Sequence, residues 1–223
     1  MRDTTPPETT PTTAEVTDPR LGPSPGDDLF TRLLWLDFET NGLHDQGHDV
    51  HVLEVAAVVT DASLQELAVF EPLVLRAPDH AYEAMDDFVR TMHTTNGLLE
   101  TSQRSAIIEH DADTQLSEFV GDWFPARERT RKDARYQYRG AVVAGSSVGS
   151  FDLRVLSERF PLTRKLCSHR TYDISAVNEF AVRLGIHTVN SAEAETTAAH
   201  RALADIRGSI AKAKVLTQAL AQH

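Results

Sequence analysis

Apolar and polar positions follow different textures along this chain, and the changes of texture divide it. Residues 33–36, Leu-Leu-Trp-Leu, are apolar without alternation, as in a strand buried on both faces. They predict a first strand over 29–38, followed by an Asn41-Gly42 turn and a polar loop. Residues 51–60 (HVLEVAAVVT) and 64–75 (LQELAVFEPLVL) predict two further strands joined through Asp61-Ala62-Ser63. Short links between three consecutive strands imply an antiparallel meander. Helical spacing takes over from about 83 to 124. Met85, Phe88, Val89 and Met92 share one face until Asn96-Gly97 breaks the run, and Leu116, Phe119, Val120 and Trp123 share another, ended by Pro125. Residues 141–145 (AVVAG) predict a fourth strand, and a turn then leads into a helix with Phe151, Val155 and Leu156 facing inward. HRTYDI at 169–174 predicts a fifth strand. A helix over 175–185 begins at Ser175 and stops at Gly185, 186–196 is polar linker, and a last helix runs from near Thr197 to about 221.

Composition adds bounds to this picture. Residues 1–28 hold six of the ten prolines and hardly any large apolar side chain, so a disordered Pro/Thr-rich tail is expected, with one domain over 29–223. At 41% hydrophobic and 25% charged, that domain has ordinary globular composition. No apolar stretch is long enough for a membrane span and the N-terminus lacks a signal-peptide layout, so a cytoplasmic location is expected. The single Cys167 permits no internal disulfide and argues against a thiolate zinc site. A net charge of -11 argues against a broad grip on long nucleic acid, though not against a short substrate held locally around metal ions. The basic stretch 126–139, ARERTRKDARYQYR, reads as a solvated loop or short helix, with stacking on a nucleic acid strand as the alternative.

Candidate chemistry begins where the first strand ends. Side chains at i and i+2 of a strand point the same way, so Asp37 and Glu39 project together. Two like charges held close need a shared proton or a shared cation, and Mg2+ or Mn2+ is the natural partner for such oxygens. Asp152 stands near a helix N-terminus beyond the fourth strand, where open α/β sheets collect ligands. His200 and Asp205 are five residues apart, which on an ideal helix turns them about 140° away from each other. The histidine must therefore sit at or before the first turn, with the chain bent there. Four carboxylates and a titratable histidine are the inventory of a two-metal phosphodiesterase.

The motifs D-x-E-T-x-G-L at 37–43, F-D at 151–152 and H-x4-D at 200–205 resemble those of the DEDDh 3′-to-5′ exonucleases, and within them the oligoribonucleases. Supporting stretches are VLEVAAVVTDASL (52–64), MDDFVRTMHTTNGL (85–98), HRTYDIS (169–175) and HRALADIRGSI (200–210). The resemblance implies a ribonuclease H-like three-layer α/β fold, with a mixed five-stranded sheet antiparallel over strands 1–3 and parallel over strands 4 and 5. It implies two divalent cations on Asp37, Glu39, Asp152 and Asp205, His200 as general base, and hydrolysis of short RNA to 5′-mononucleotides. Leu43 would wedge between bases, Phe88 would stack, and His93 would contact substrate near the scissile end. Arg170 and Ser175, with a serine of the Ser146-Ser147 pair, Ser147 being the first candidate, would cap a 5′-phosphate, and His169 stands where the family has a tyrosine that reaches the neighbouring subunit of a homodimer.

Several positions depart from the family pattern. Asn41 lies in a segment nearer to general proofreading-type exonucleases, Ala176 replaces a usual hydroxyl, one extra residue separates Gly145 from Asp152, and AEAETTAAH precedes the final motif without the family's glycine. Two alternatives therefore stand beside the first reading: a DEDDh exonuclease for longer single-stranded DNA or RNA, and a catalytically silent nucleic-acid-binding protein.

Overall fold

The computed structural model describes residues 32–44, 47, 49–124, 140–186 and 200–222. The expected tail over 1–28, the basic stretch 126–139 and most of the linker at 186–196 lie outside the described residues. In chain order the elements are β1 (Leu33–Thr40), β2 (Val52–Thr60), β3 (Glu66–Val74), α1 (Asp79–Glu83), α2 (Asp87–Thr95), α3 (Leu98–Arg104), α4 (Glu109–Trp123), β4 (Ala141–Gly145), α5 (Asp152–Arg159), α6 (Pro161–Leu166), β5 (Cys167–Asp173), α7 (Ile174–Arg183) and α8 (Ala202–Ala221). The strands form one sheet in the order β3-β2-β1-β4-β5. Pairing is antiparallel between β1 and β2 and between β2 and β3, and parallel from β1 to β4 and from β4 to β5. This is the mixed three-layer architecture expected from the texture and the motifs.

The unbroken apolar runs have a direct cause. Leu34, Leu36 and Phe38 of β1 face one layer with α4, α5 and Phe160. Trp35 faces the other layer, against Ala202, Ile206 and Ile210 of α8 and Ile174 of α7. Every residue of β2 is buried, since this strand is central and covered on both faces. Each large side chain so enclosed contributes about 1.5–3 kcal/mol. A third cluster places Leu53 against Ala81, Tyr82, Val89 and Leu98 and fastens the α1–α3 segment to the end of the sheet near Glu39. The indole N–H of Trp35 donates to Thr60 Oγ1 at 2.9 Å, so the one polar atom of that buried ring is satisfied.

Several boundaries differ from expectation, and two of the differences bear on the site. β1 continues past residue 38 to Thr40, because Glu39 still pairs in register with Glu54 of β2. The last helix begins at Ala202 rather than near Thr197: His200 has φ +34 and Arg201 is extended, so helical geometry is interrupted before Ala202. The short α1, α3 and α6 have too few residues to print a helical period on the sequence. No described helix is long and apolar enough to cross a membrane.

Candidate active site

Alternation along β1 puts Asp37 and Glu39 on the face of Trp35, the face that α8 covers. Asp205 lies in the first turn of α8. One carboxylate oxygen from each of Asp37, Glu39 and Asp205 lies within 4.8 Å of the others, with Glu39 buried and the other two half-buried. Asp152, the first residue of α5, reaches the same strand from the sheet's other flank, where its Oδ1 accepts the Phe38 backbone N–H at 3.2 Å.

Burial raises the proton affinity of all four acids, and their crowding adds to it at Asp37 and Glu39. Burial, then repulsion from Asp152, Glu39 and Asp205, holds Asp37 well above the usual carboxylate range. Glu39 is pushed from 4.5 to about 8, by burial first and then by Asp205 and Glu54, with Arg201 opposing. Burial raises Asp152 to about 7 against the hydrogen bond from Phe38. Asp205 is also raised by burial, while the His200 charge and a hydrogen bond with Glu39 pull it down. Oxygens gathered at this spacing, at the expense of their ionised forms, are the donor set that suits a hard divalent cation.

His200 precedes α8, with its left-handed backbone redirecting the chain so that its ring acts on Asp205. Its carbonyl accepts the Asn96 Nδ2–H at 2.7 Å, which ties it to the end of α2. The next residue is tied elsewhere. Arg201 Nε donates to both oxygens of the fully buried Glu54 at 3.0 and 2.9 Å, a second guanidinium nitrogen bonds the same carboxylate, and the Ala202 N–H donates to Glu54 Oε2 at 3.0 Å.

Other residues singled out in the sequence flank this centre. Leu43, half exposed, follows a turn in which Thr40 Oγ1 donates to the Gly42 carbonyl at 2.8 Å. The buried Asn41 side chain bonds Asp49 O, Ala81 O and the His51 N–H, which fixes this turn. Phe88 is 73% exposed on α2. His93 is fully buried: Nε2 donates to the Thr40 carbonyl at 2.9 Å, Nδ1 has no hydrogen-bond partner among the described residues, and burial lowers its proton affinity. It thus supports the end of β1 from beneath, where a substrate-facing ring was expected. Ser147 and Ser175 do meet, Oγ to Oγ at 3.2 Å, and Asp173 lies between them, accepting from the N–H groups of Ser147, Gly149 and Ser175 at 3.1, 3.1 and 2.9 Å. His169 and Arg170 are exposed on β5.

Sequence reasoning missed Glu54, Arg201, Asn96 and Asp173. A signal for Glu54 existed: a lone acid inside the apolar run HVLEVAAVVT has to be paired once the strand is buried.

No family model matches the chain. Among curated proteins it is similar to the oligoribonuclease of Vibrio parahaemolyticus, 32% identical over 182 residues that cover 82% of this chain and 91% of that protein. The oligoribonuclease of Streptomyces avermitilis is 34% identical over 189 residues, 85% of this chain and 86% of that protein. Among solved structures, exonuclease I of Methylocaldum szegediense matches with a TM-score of 0.56 at 20% identity, covering 84% of this chain and 40% of that one. E. coli exonuclease I in complex with a dT13 oligonucleotide gives 0.56 at 16%, covering 86% and 42%. The chain spans about two fifths of the length of these exonuclease I structures, and the likeness to them is one of fold.

Proposed function

The chain belongs to the oligoribonuclease family of 3′-to-5′ exonucleases, and from that premise we propose that it hydrolyses short RNA from the 3′ end, releasing 5′-mononucleotides. The observation that carries this reading is the convergence of the Asp37, Glu39 and Asp205 oxygens, with Asp152 acting on Asp37 from α5. These four would hold two divalent cations, Mg2+ or Mn2+. Bound there, such cations supply charge neutralisation at the scissile phosphate and acidify the attacking water. His200 takes the proton from that water as the new P–O bond forms and the bond to the 3′-oxygen breaks, a task for an imidazole ring nitrogen held within reach of the water. Asn96 holds the His200 backbone while this happens. Leu43 and Phe88 present exposed apolar surface on which the terminal bases wedge and stack. His93, covered by Thr40, meets substrate only if binding uncovers its ring.

Ser147, Ser175 and Arg170 are the candidates for the 5′-phosphate cap, with His169 at the site of a partner subunit in a homodimer. A second reading, an exonuclease for longer single strands, draws support from Asp173. Its carboxylate already occupies the Ser175 and Ala176 backbone N–H groups at the start of α7, together with those of Ser147 and Gly149 in the turn between β4 and α5, which a phosphate would otherwise use.

A time course with 5′-labelled RNA, from dinucleotides to strands many times longer, in Mn2+ and in EDTA, tests both. Fastest loss of the dinucleotide with a strict metal requirement supports the first reading. Equal or faster loss of long strands transfers support to the second, and no cleavage at any length overturns both.

A further inference from the structure

We propose that Glu54 and Arg201 are positioning residues for the reaction: their ion pair locks the start of α8 to β2 and so sets His200 and Asp205 against Glu39. The inference rests on the function proposed above and extends it to residues that touch neither substrate nor cation.

Glu54 pairs in register with Glu39, so the two acids share one face of the sheet as direct neighbours. A fully buried carboxylate beside three others is unfavourable unless strong donors meet it. Among the described residues, the side-chain hydrogen-bond partners of Glu54 come from one short segment, Arg201 and Ala202. That segment lies between the proposed general base and the helix that carries Asp205. Arg201 is the residue before α8 and supplies no side-chain cap to the helix, so Glu54 takes over that work from a different strand by accepting the Ala202 N–H. The guanidinium grips both carboxylate oxygens, which fixes direction as well as distance, a geometry that an ammonium does not reproduce.

The consequence is that α8 has one rotational setting on the sheet. Asp205 is one turn beyond the clamp, and its N–H donates to the Arg201 carbonyl at 3.1 Å. His200 is one residue before the clamp, and Asn96 fixes its carbonyl from the opposite side. The left-handed backbone of His200 is strained for a residue with a Cβ, and it persists because the chain is held on both sides. The pair thus gives the start of α8 a defined geometry.

The test uses the full chain and the double variant Glu54→Gln/Arg201→Gln, which leaves no unpaired buried charge. Arg201→Lys, which keeps the charge and loses the two-point grip, is compared with it. Readouts are kcat and KM on a dinucleotide, Mn2+ affinity of the free protein by titration, and melting temperature. The double variant is expected to keep a near-native melting temperature and KM, while kcat and Mn2+ affinity each fall roughly 10- to 100-fold. Arg201→Lys should fall in between. Wild-type kcat and Mn2+ affinity in a folded double variant overturn the proposal, as does a rise in KM with kcat unchanged. A wild-type chain that neither binds Mn2+ nor cuts RNA overturns the proposed function itself, and this inference with it.

Discussion

Replacing Glu39 by Gln removes a carboxylate that the metal-free protein ionises only with difficulty, and the fold gives the size of the effect. Glu39 is buried, faces Asp205 and Glu54, and holds its proton up to about pH 8, against 4.5 when solvated. Below pH 4.5 both folded and unfolded chains carry the proton, and nothing is gained or lost. Between 4.5 and about 8 the folded chain keeps a proton that the unfolded chain releases, so stability falls as pH rises. Above about 8 the full penalty is present. At about 1.4 kcal/mol per unit, this one group accounts for a loss on the order of 5 kcal/mol across the window. Relaxation around the site and the coupling to Asp37 and Asp205 reduce it, so a few kcal/mol is the expected reading. The assay is urea unfolding in EDTA at pH 5 and pH 9, wild type against Glu39→Gln. The wild type should lose stability across this range by clearly more than the variant, and saturating Mn2+ should remove most of the difference in the wild type alone. Identical pH slopes for the two proteins, or a wild type that gains stability with pH relative to the variant, would refute the reasoning.

Three further outcomes follow from the same geometry. Asp205→Ala should abolish hydrolysis while the chain melts near the wild-type temperature, because in the metal-free fold the repulsion that Asp205 adds offsets its contacts with His200 and Glu39; substantial residual turnover would exclude Asp205 from the reaction. Phe88→Ala, at a position 73% exposed, should change stability by under about 0.5 kcal/mol while raising KM by roughly 5- to 100-fold, the equivalent of one base stacked on an aromatic ring; an unaltered KM on a dinucleotide counts against stacking there. Leu116→Ala, at the wholly enclosed centre of the α4 face, should cost about 2–5 kcal/mol in urea unfolding and leave kcat per folded molecule unchanged, so a lowered kcat at full folding would show that α4 shapes the site.

Much of this arrangement was legible because it is written in local patterns. The double-sided apolar run at Leu33–Leu36 and the alternation beyond it placed Asp37 and Glu39 on one face, and the sheet confirms their common direction. The incompatibility of His200 and Asp205 on one ideal helix predicted a bent approach, and the chain does turn at His200. The start of α8 was misplaced because Thr197, Ala198 and Ala199 continue a helical composition, and helix propensity is a weak guide where tertiary contacts decide. The deciding contact is Glu54, which lies on a strand far away in sequence. His93 was also beyond local reading: nothing in HTTNGL announces that the ring will be drawn under Thr40, a contact across two layers of structure. The clamp and the Asn96 tie are side-chain pairings between distant segments, and residue spacing alone carries no trace of them.

The carboxylates of the centre are divided between the first strand of the sheet and the last helix, and α8 rests on β1 and β2 through Ile206 and Ile210. Chains emerge from the ribosome in order, and domains condense as their parts become available. Asp37 and Glu39 therefore leave the exit tunnel long before their partner. Until α8 emerges, surrounded by the ribosome's own RNA and the message being read, the growing polypeptide lacks one wall of the proposed cutting centre. Docking of α8 is the moment at which the four carboxylates of the proposed centre first come together.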